Sequence, residues 1–224
     1  MPQPTDESCG PTCLHAVYQF YDDPTDLNKL LKEVKQIKGG GTLAVMLGNH
    51  ALARGYDATI YTYNLQMFDP TWFATETNLS EKLREQRQYK TTKKFLEATD
   101  AYLKFLDRGG TIKFEELNAQ LIRSFLVQDI PILTGLSATY LYKSSREIPK
   151  YNVYHDTKGE PTGHFVVLCG YDEESIHIAD PLNPNPIFNE IQYYQVSVRR
   201  VIHAILLGIL TYDANLLILQ PKNE

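Results

Sequence analysis

The stretch that decides the fold lies at the start of the chain and reads Gln3-Pro4-Thr5-Asp6-Glu7-Ser8-Cys9-Gly10-Pro11-Thr12-Cys13-Leu14. From Cys9 onward apolar residues recur at helical spacing, which predicts a helix over residues 9–22 with Ser8 as its N-cap. Cys9 would then lie at a helix N-terminus, where free N–H groups and the helix dipole favour a thiolate. A nucleophilic thiol needs these conditions, although a buried packing cysteine would give the same pattern.

Gln3 lies six residues before Cys9, on the segment that leads into this helix. Its side-chain amide and the Cys9 backbone N–H can reach the same point, and two such donors make an oxyanion hole. Cys9 and Cys13, four residues apart, would also suit a zinc site, but the sequence offers no second pair with ligand-like spacing. We expect Cys13 and Cys169 to be core residues.

A base for the thiol is expected from His164, which opens the apolar strand predicted over residues 163–172. Asp180 closes the next predicted strand, residues 176–180. A three- or five-residue loop centred on Asp172 would place His164 and Asp180 directly opposite each other, with Cβ atoms ~5 Å apart. A two- or four-residue turn would send the two side chains to opposite faces. Four other histidines lie in predicted helices or a polar loop: His15, His50, His155 and His203.

The composition is that of an ordinary globular chain. It has 224 residues, 43% of them hydrophobic, and a formal net charge of -5. Since no long basic run is present, we expect neither nucleic acid nor a membrane as partner.

The longest apolar run, residues 204–210, is far shorter than the ~20 residues of a spanning helix. A signal peptide would need about 15–30 residues before the chemistry that begins at Gln3, which predicts a cytoplasmic protein. Three cysteines in such a chain argue against a disulfide framework.

Helical patterns dominate the first part of the chain and strand patterns the second. Helices are predicted over residues 9–22, 25–37, 42–54, 78–107 and 115–127, with strands at 56–63 and 111–114. Strand-like runs follow at 130–142, 163–171, 176–179 and 216–219, and residues 190–207 are expected to be helical in part. This order predicts one α+β domain over residues 1–224, with an N-terminal helical lobe and a C-terminal antiparallel sheet lobe.

The assembled motifs resemble the C39-like family, a papain-like group that contains the bacteriocin-processing peptidase domains. Residues 3–14 resemble its nucleophile motif, with Gln six residues before Cys-Gly-Pro. Residues 163–172 resemble its histidine motif, and residues 179–181 its aspartate motif. The resemblance covers about 1–60 and 128–220. Residues 65–110 look like a helical insertion, expected either to cap the cleft and control substrate choice or merely to enlarge the core.

This resemblance implies a papain-like, two-lobed cysteine peptidase with Cys9 as nucleophile, His164 as general base and acid, and Asp180 orienting the histidine. It implies Gln3 as the oxyanion donor. The expected reaction is cleavage of a peptide or small amide through a thioacyl-enzyme, without a cofactor or a metal. The tyrosine-rich loop 140–162 would form either a peptide-binding wall or an ordered surface loop. A thiol acyltransferase and a non-catalytic peptide-binding module remain alternatives.

Overall fold

The computed structural model describes residues 1–37, 41–149, 151 and 153–222. Its α-helices are α1 Cys9–Phe20, α2 Leu27–Glu33, α3 Ala44–Ala53, α4 Leu79–Gln86, α5 Lys93–Asp107, α6 Ala119–Leu126, α7 Ala138–Tyr142 and α8 Val198–Leu207. Its strands are β1 Tyr56–Thr62, β2 Thr111–Lys113, β3 Ile132–Ser137, β4 Glu147–Ile148, β5 Val153–Tyr154, β6 Gly163–Tyr171, β7 Ser175–Ala179, β8 Tyr193–Ser197 and β9 Asn215–Pro221. None of these helices combines the length and the apolar character needed to cross a bilayer.

Seven of the strands form one sheet in the order β2-β1-β9-β3-β6-β7-β8. The β1–β2 pair is parallel, and the other pairs in this sheet are antiparallel. The predicted α+β class is therefore confirmed. Because β1 and β2 come from the first half of the chain, both halves contribute to the same sheet.

Helices cover both faces of this sheet. Side chains alternate along a strand, so Phe165 and Val167 of β6 face one helical layer and Val166 and Leu168 face the other. The first layer contains α1, α3 and α5, and the second contains α6, α7 and α8. Each layer buries its apolar side on the sheet, and the two resulting cores hold the sheet rigid between them.

Two segments differ from their predicted secondary structure. The strand expected over 130–142 ends at Ser137, whose hydroxyl accepts the Tyr140 N–H and caps α7. Residues 190–207 contain a complete strand, β8, before α8 begins at Val198. In β8 Tyr194 and Val196 are buried and their neighbours are exposed, which is the period-two pattern of a strand. Three consecutive glycines, residues 39–41, predict a break between the second and third helices, and the first two of them lie outside the described residues.

Residues 65–110 contribute to the core of the domain. Helix α5 packs against α3 and buries Phe95, Tyr102 and Phe105. A Cβ on Gly48 of α3 would lie 2.7 Å from the Phe105 ring, so the two helices approach as closely as glycine allows. Within this segment, all of which is described, Lys94 is the residue that lines the cleft reported below. These contacts favour a segment that enlarges the core over a cap.

Candidate active site

Cys9 is the first residue of α1, and the loop before it is closed on itself. The Ser8 hydroxyl donates to the Thr5 carbonyl at 2.6 Å and accepts the Thr5 N–H at 2.9 Å. Ser8 therefore occupies the predicted N-cap position, but its side chain makes no capping bond to the helix. The N–H of Cys9, the first residue of the helix, has no partner among the described residues. An N–H without a partner at the positive end of a helix can bind developing negative charge.

The start of α1 packs tightly on β6, the strand that carries His164. A Cβ on Gly10 would lie 3.3 Å from the Leu47 side chain and 3.4 Å from the Phe165 ring, so a glycine allows this approach. One turn later, the Cys13 thiol donates to the Phe165 carbonyl at 3.3 Å. These contacts fix the position of the helix start relative to the histidine.

His164 and Asp180 form a buried ion pair. His164 Nε2 lies 2.8 Å from Asp180 Oδ1. The Leu182 N–H donates to the same oxygen at 2.9 Å. The hydroxyls of Tyr142 and Tyr194 both donate to Oδ2, at 2.6 and 2.5 Å. With four donors, the carboxylate is fully satisfied without water, and it holds the imidazole ring in one orientation.

The connection between the two strands is not the one that the sequence predicted. The turn has two residues, Glu173 and Glu174, between Asp172 and Ser175, and such a turn alone would have sent His164 and Asp180 to opposite faces. A β-bulge at Cys169 inserts one extra residue into β6, and this extra residue returns the His164 and Asp180 side chains to the same face of the sheet. Val167 pairs with Ala179, so His164 and Asp180 are diagonal neighbours on one face rather than directly opposite.

The three cysteines are free thiols with different surroundings. Cys13 is buried as predicted, and burial raises its pKa well above the ordinary value. Cys169 is exposed, so its prediction as a core residue is wrong: the bulge turns its side chain away from the core. Among the described residues, no group of three His, Cys, Asp or Glu side chains is arranged to hold a metal ion, so Cys9 and Cys13 lack further ligands.

Each member of the buried pair stabilises the charged form of the other. Burial by itself would lower the pKa of His164, but the charge and hydrogen bond of Asp180 outweigh it and raise this pKa above the ordinary 6.5. Burial would raise the pKa of Asp180, but the imidazolium of His164 and the two tyrosine hydroxyls keep it below the ordinary 3.8. The pair is therefore imidazolium and carboxylate near neutral pH.

The Cys9 thiol is close enough to the His164 ring to raise the pKa of His164 further, through a hydrogen bond and through its charge. Because Asp180 engages Nε2, the Nδ1 nitrogen is the one left for the thiol. The four other histidines considered above bond elsewhere: His15 to the Thr25 carbonyl, His50 to Tyr18 and Glu33, His155 to Thr157, and His203 to Tyr140. The arrangement therefore places a thiol next to an imidazole that can accept and donate a proton.

Gln3 and Cys9 line a common cleft of about 660 Å³, which His164 also lines. The backbone N–H of Gln3 donates to the Pro181 carbonyl at 2.8 Å, which ties the chain start to the segment after Asp180. The side-chain Nε2 makes only a long bond, 3.4 Å, to the Asp6 carbonyl, and Oε1 is buried without a partner. The amide is held at the cleft but remains available to a ligand.

Two tyrosines at this site were not found from the sequence. Tyr142 lines the cleft, as expected for a wall of tyrosines, but it is also largely buried, and its hydroxyl binds Asp180. Tyr194 lies in β8, and the alternating pattern of that strand was the signal that would have found it. In the loop 140–162, Tyr154 lines the cleft, whereas Tyr140 contacts His203 outside it.

Comparison with known proteins identifies the family to which the chain belongs. The model of the Peptidase C39 like family matches residues 1–199, a range that includes Gln3, Cys9, His164 and Asp180. The chain belongs to this family. The resemblance inferred from the motifs is thereby confirmed.

A solved structure supports the fold of this C39-like protein. A structure described as a C39-like peptidase from Bacillus anthracis has a TM-score of 0.51 and 14% identity, over 100% of this chain and 94% of that one. The peptidase domain of Streptococcus ComA, a bifunctional ABC transporter involved in quorum sensing, has a TM-score of 0.46 and 16% identity, over 99% and 97%. A search of curated protein sequences gave no match. Family and fold together support a cysteine peptidase-like function.

Proposed function

We propose that this C39-like protein cleaves a peptide or small amide bond through a thioacyl-enzyme formed on Cys9. The observation that carries the proposal is the His164 ring, which Asp180 holds in one orientation beside a thiol at an uncapped helix start. In this proposal His164 is general base and acid, Asp180 positions it, and Gln3 donates to the oxyanion.

In the acylation step, the Cys9 sulfur passes its proton to His164 and attacks the carbonyl carbon of the substrate. The oxygen that becomes negative accepts hydrogen bonds from the Cys9 N–H and Gln3 Nε2. The His164 imidazolium then gives its proton to the departing nitrogen, the C–N bond breaks, and a thioester remains on Cys9.

In the deacylation step, neutral His164 removes a proton from water, and the resulting hydroxide attacks the thioester carbonyl. The C–S bond breaks, the acid leaves, and the imidazolium returns its proton to the Cys9 sulfur. Asp180 stays ionised throughout, because four donors satisfy its oxygens whether or not the ring is charged.

The first test is replacement of the nucleophile. Cys9→Ala should abolish turnover of a peptide library and the covalent adduct seen by intact-mass spectrometry. Cys169→Ser is the matched control, because Cys169 is an exposed thiol outside the cleft and its loss should leave turnover unchanged. Normal turnover in Cys9→Ala would remove the proposal.

The second test concerns the oxyanion donor. Gln3→Ala should lower kcat by about 10²–10³-fold if the amide is one of two oxyanion donors. Gln19→Ala, on the exposed side of α1, is the control for loss of an amide without a role. Equal activity in both variants would leave Gln3 as an anchoring residue only.

The same thioester can be captured by an amine instead of water, so the assay should be run with and without an amine acceptor. Hydrolysis as the dominant outcome supports the peptidase, and transfer to the amine as the dominant outcome replaces it with an acyltransferase. Binding of peptides without any adduct on Cys9 would indicate a non-catalytic module.

A further inference from the structure

A second carboxyl group lies in the cleft beside the proposed catalytic residues. Asp213 is 8% exposed and lies between a short 3-10 helix, Gly208–Thr211, and β9. A Cβ on Gly163 would lie 2.7 Å from Asp213 Oδ2, and a Cβ on Gly135 would lie 2.7 Å from Asp213 Cβ. Two glycines of neighbouring strands thus leave the room that this side chain occupies.

The fold does not satisfy this carboxyl group. Oδ1 of Asp213 is buried, and among the described residues it has no hydrogen-bond partner and no cationic side chain within ion-pair distance. Burial raises the pKa of Asp213 to about 7, against the lowering effects of the Lys94 charge, the Thr211 hydroxyl and the His164 charge. Tyr102 also faces it, and the charge of Asp213 raises the pKa of that phenol after the larger effect of burial.

The Lys94 ammonium group contacts other residues and does not reach Asp213. Its Nζ donates to the Thr211 carbonyl at 3.3 Å and lies 4.5 Å from the centre of the Tyr212 ring. The Lys94 charge therefore lowers the free-energy cost of ionising the buried Asp213 carboxyl group from a distance. The Lys94 side chain does not occupy the space next to Oδ1.

The rest of the cleft is also rich in acceptors and negative charge. Gln3 Oε1 and Thr42 Oγ1 are, like Asp213 Oδ1, buried without partners on cleft-lining residues. Four more carboxylates line the cleft: Asp6, Glu7, Glu147 and Glu160. Among the described lining residues, Lys94 is the one lysine or arginine. A ligand that brings N–H donors and a positive charge would complement this cleft.

We propose that Asp213 is a specificity-determining residue that binds a cationic N–H donor of the substrate, a primary ammonium or a guanidinium, next to the bond attacked by Cys9. This inference rests on the proposed function, whose substrate class it narrows. A buried carboxylate without a partner is costly in the free protein, and a cation in the cleft would supply the missing partner. Neutral substrates leave Oδ1 unpaired and are disfavoured.

The proposal can be tested on the thiol without any substrate. In a Cys169→Ser background, the modification rate of Cys9 is measured with cationic 2-aminoethyl methanethiosulfonate and with neutral methyl methanethiosulfonate. Each reagent forms a disulfide with the Cys9 sulfur and releases methanesulfinate. The neutral reagent measures the reactivity of the thiolate, so the cationic-to-neutral rate ratio isolates the charge of the cleft.

At pH 8 Asp213→Asn should lower this ratio by about tenfold, the effect of one charge a few ångströms away in partly screened surroundings. The wild-type ratio should rise between pH 5.5 and 8, and the ratio of the variant should stay flat. Glu160→Gln, at an exposed position of the same cleft, should change the ratio less than twofold. An unchanged ratio in Asp213→Asn overturns the proposal. If that variant does not fold, Lys94→Met should raise the ratio, and a fall would overturn the proposal equally.

Peptide pairs separate this inference from the proposed function. Peptides with lysine or norleucine at one position near the cleaved bond should differ in kcat/KM, and Asp213→Asn should reduce that preference about tenfold. Cleavage with an unchanged preference refutes the role of Asp213 alone. A charge-dependent labelling ratio without cleavage of any peptide refutes the peptidase and leaves the cation site in place.

Discussion

Asp180 and Asp213 are both buried carboxyl groups whose pKa is lowered by the charge of His164, but they differ in the number of hydrogen bonds that they accept. Asp180 accepts four hydrogen bonds, one of them from the imidazolium, and its pKa lies below the ordinary value. Asp213 has one oxygen without a partner, and burial raises its pKa to about 7.

This difference distinguishes a carboxylate whose hydrogen bonds are all made within the protein from one that lacks a hydrogen-bond partner. The oxygens of Asp180 are used entirely within the protein, which supports the proposal that Asp180 positions His164 rather than binds a ligand. Asp213 carries the desolvation cost of a buried acid without the hydrogen bonds that would offset it. A group of the second kind destabilises the free protein, and its presence in a cleft indicates an external partner. Replacement of each aspartate by asparagine should therefore change the free energy of unfolding with opposite dependences on pH.

The largest effect is expected for Asp180→Asn. Its loss removes the counter-charge of the His164 imidazolium and leaves a tyrosine hydroxyl or an N–H without a good acceptor. We expect kcat/KM to fall by about 10³–10⁴-fold and the free energy of unfolding at pH 7 to fall by about 3–5 kcal/mol. Because the pKa of Asp180 is lowered in the folded state, its stabilisation is present above pH 3.8 and is lost as the pH falls through the folded-state value.

Urea unfolding and peptide kinetics at pH 7 measure both quantities for this variant. Asp57→Asn, at an exposed position on β1, is the control and should change neither. If Asp180→Asn kept wild-type stability, the four hydrogen bonds would not be the reason for its lowered pKa.

The same substitution at Asp213 should have the opposite dependence on pH. The folded-state pKa of about 7 lies above the ordinary 3.8, so the folded protein binds the extra proton between these values. Wild-type stability should therefore fall across this window as the pH rises, and Asp213→Asn should escape that loss. We expect the stability of the variant relative to wild type to increase by about 3 kcal/mol between pH 4.5 and pH 8.

This measurement compares urea unfolding of both proteins at each pH, so the constant effect of burying an asparagine amide cancels. A difference that does not change with pH would show that Asp213 titrates normally in the folded protein, and the contrast with Asp180 would be lost.

A smaller effect is expected from the two tyrosines that donate to Asp180. Tyr142→Phe and Tyr194→Phe each remove one hydrogen bond to a charged oxygen, and each should cost about 1.5–3 kcal/mol of unfolding free energy. The ring of Tyr194 stacks on Phe188 at 3.8 Å, a contact that phenylalanine keeps. Tyr193→Phe, at the exposed neighbouring position, is the control. Because both hydroxyls donate to Oδ2, the double variant leaves this buried oxygen without a donor among the described residues and should cost more than the sum; strict additivity would contradict a shared acceptor.

The sequence indicated which ionisable residues meet in the cleft better than it indicated the contacts that support them. Cys9 and His164 were singled out by motifs around a helix start and a strand edge, and the structure brings both to one cleft. The contact of His164 with Asp180 was expected from a loop centred on Asp172, whereas a tight turn and a bulge at Cys169 produce it. A bulge depends on packing against both neighbouring strands, so the residue pattern of one strand does not reveal it.

Sequence patterns do not reveal which distant residues meet: the alternation of β8 marks Tyr194 as buried, but not as a donor to Asp180. Tyr142, Tyr194 and Asp213 come from α7, from β8 and from the segment before β9, and only the sheet order brings them near His164. A lone aspartate before an apolar strand is an ordinary feature of a sequence. Its meaning depends on Gly163 and Gly135, which leave it room, and on the lack of a partner for Oδ1.

The smallest expected effect concerns Lys94, the cation that faces Asp213 without contacting it. Its charge lowers the pKa of Asp213, so Lys94→Met should raise that pKa above about 7. The midpoint of the pH-dependent rate ratio for Cys9 modification should move upward by about half a pH unit, since the charge acts through several ångströms of partly hydrated protein. Lys93→Met is the matched control, because Lys93 is the exposed neighbour on the same helix and should leave the midpoint in place. An upward shift with Lys94→Met alone ties the titrating group to Asp213, whereas equal midpoints in both variants would assign the pH dependence to a different group of the cleft.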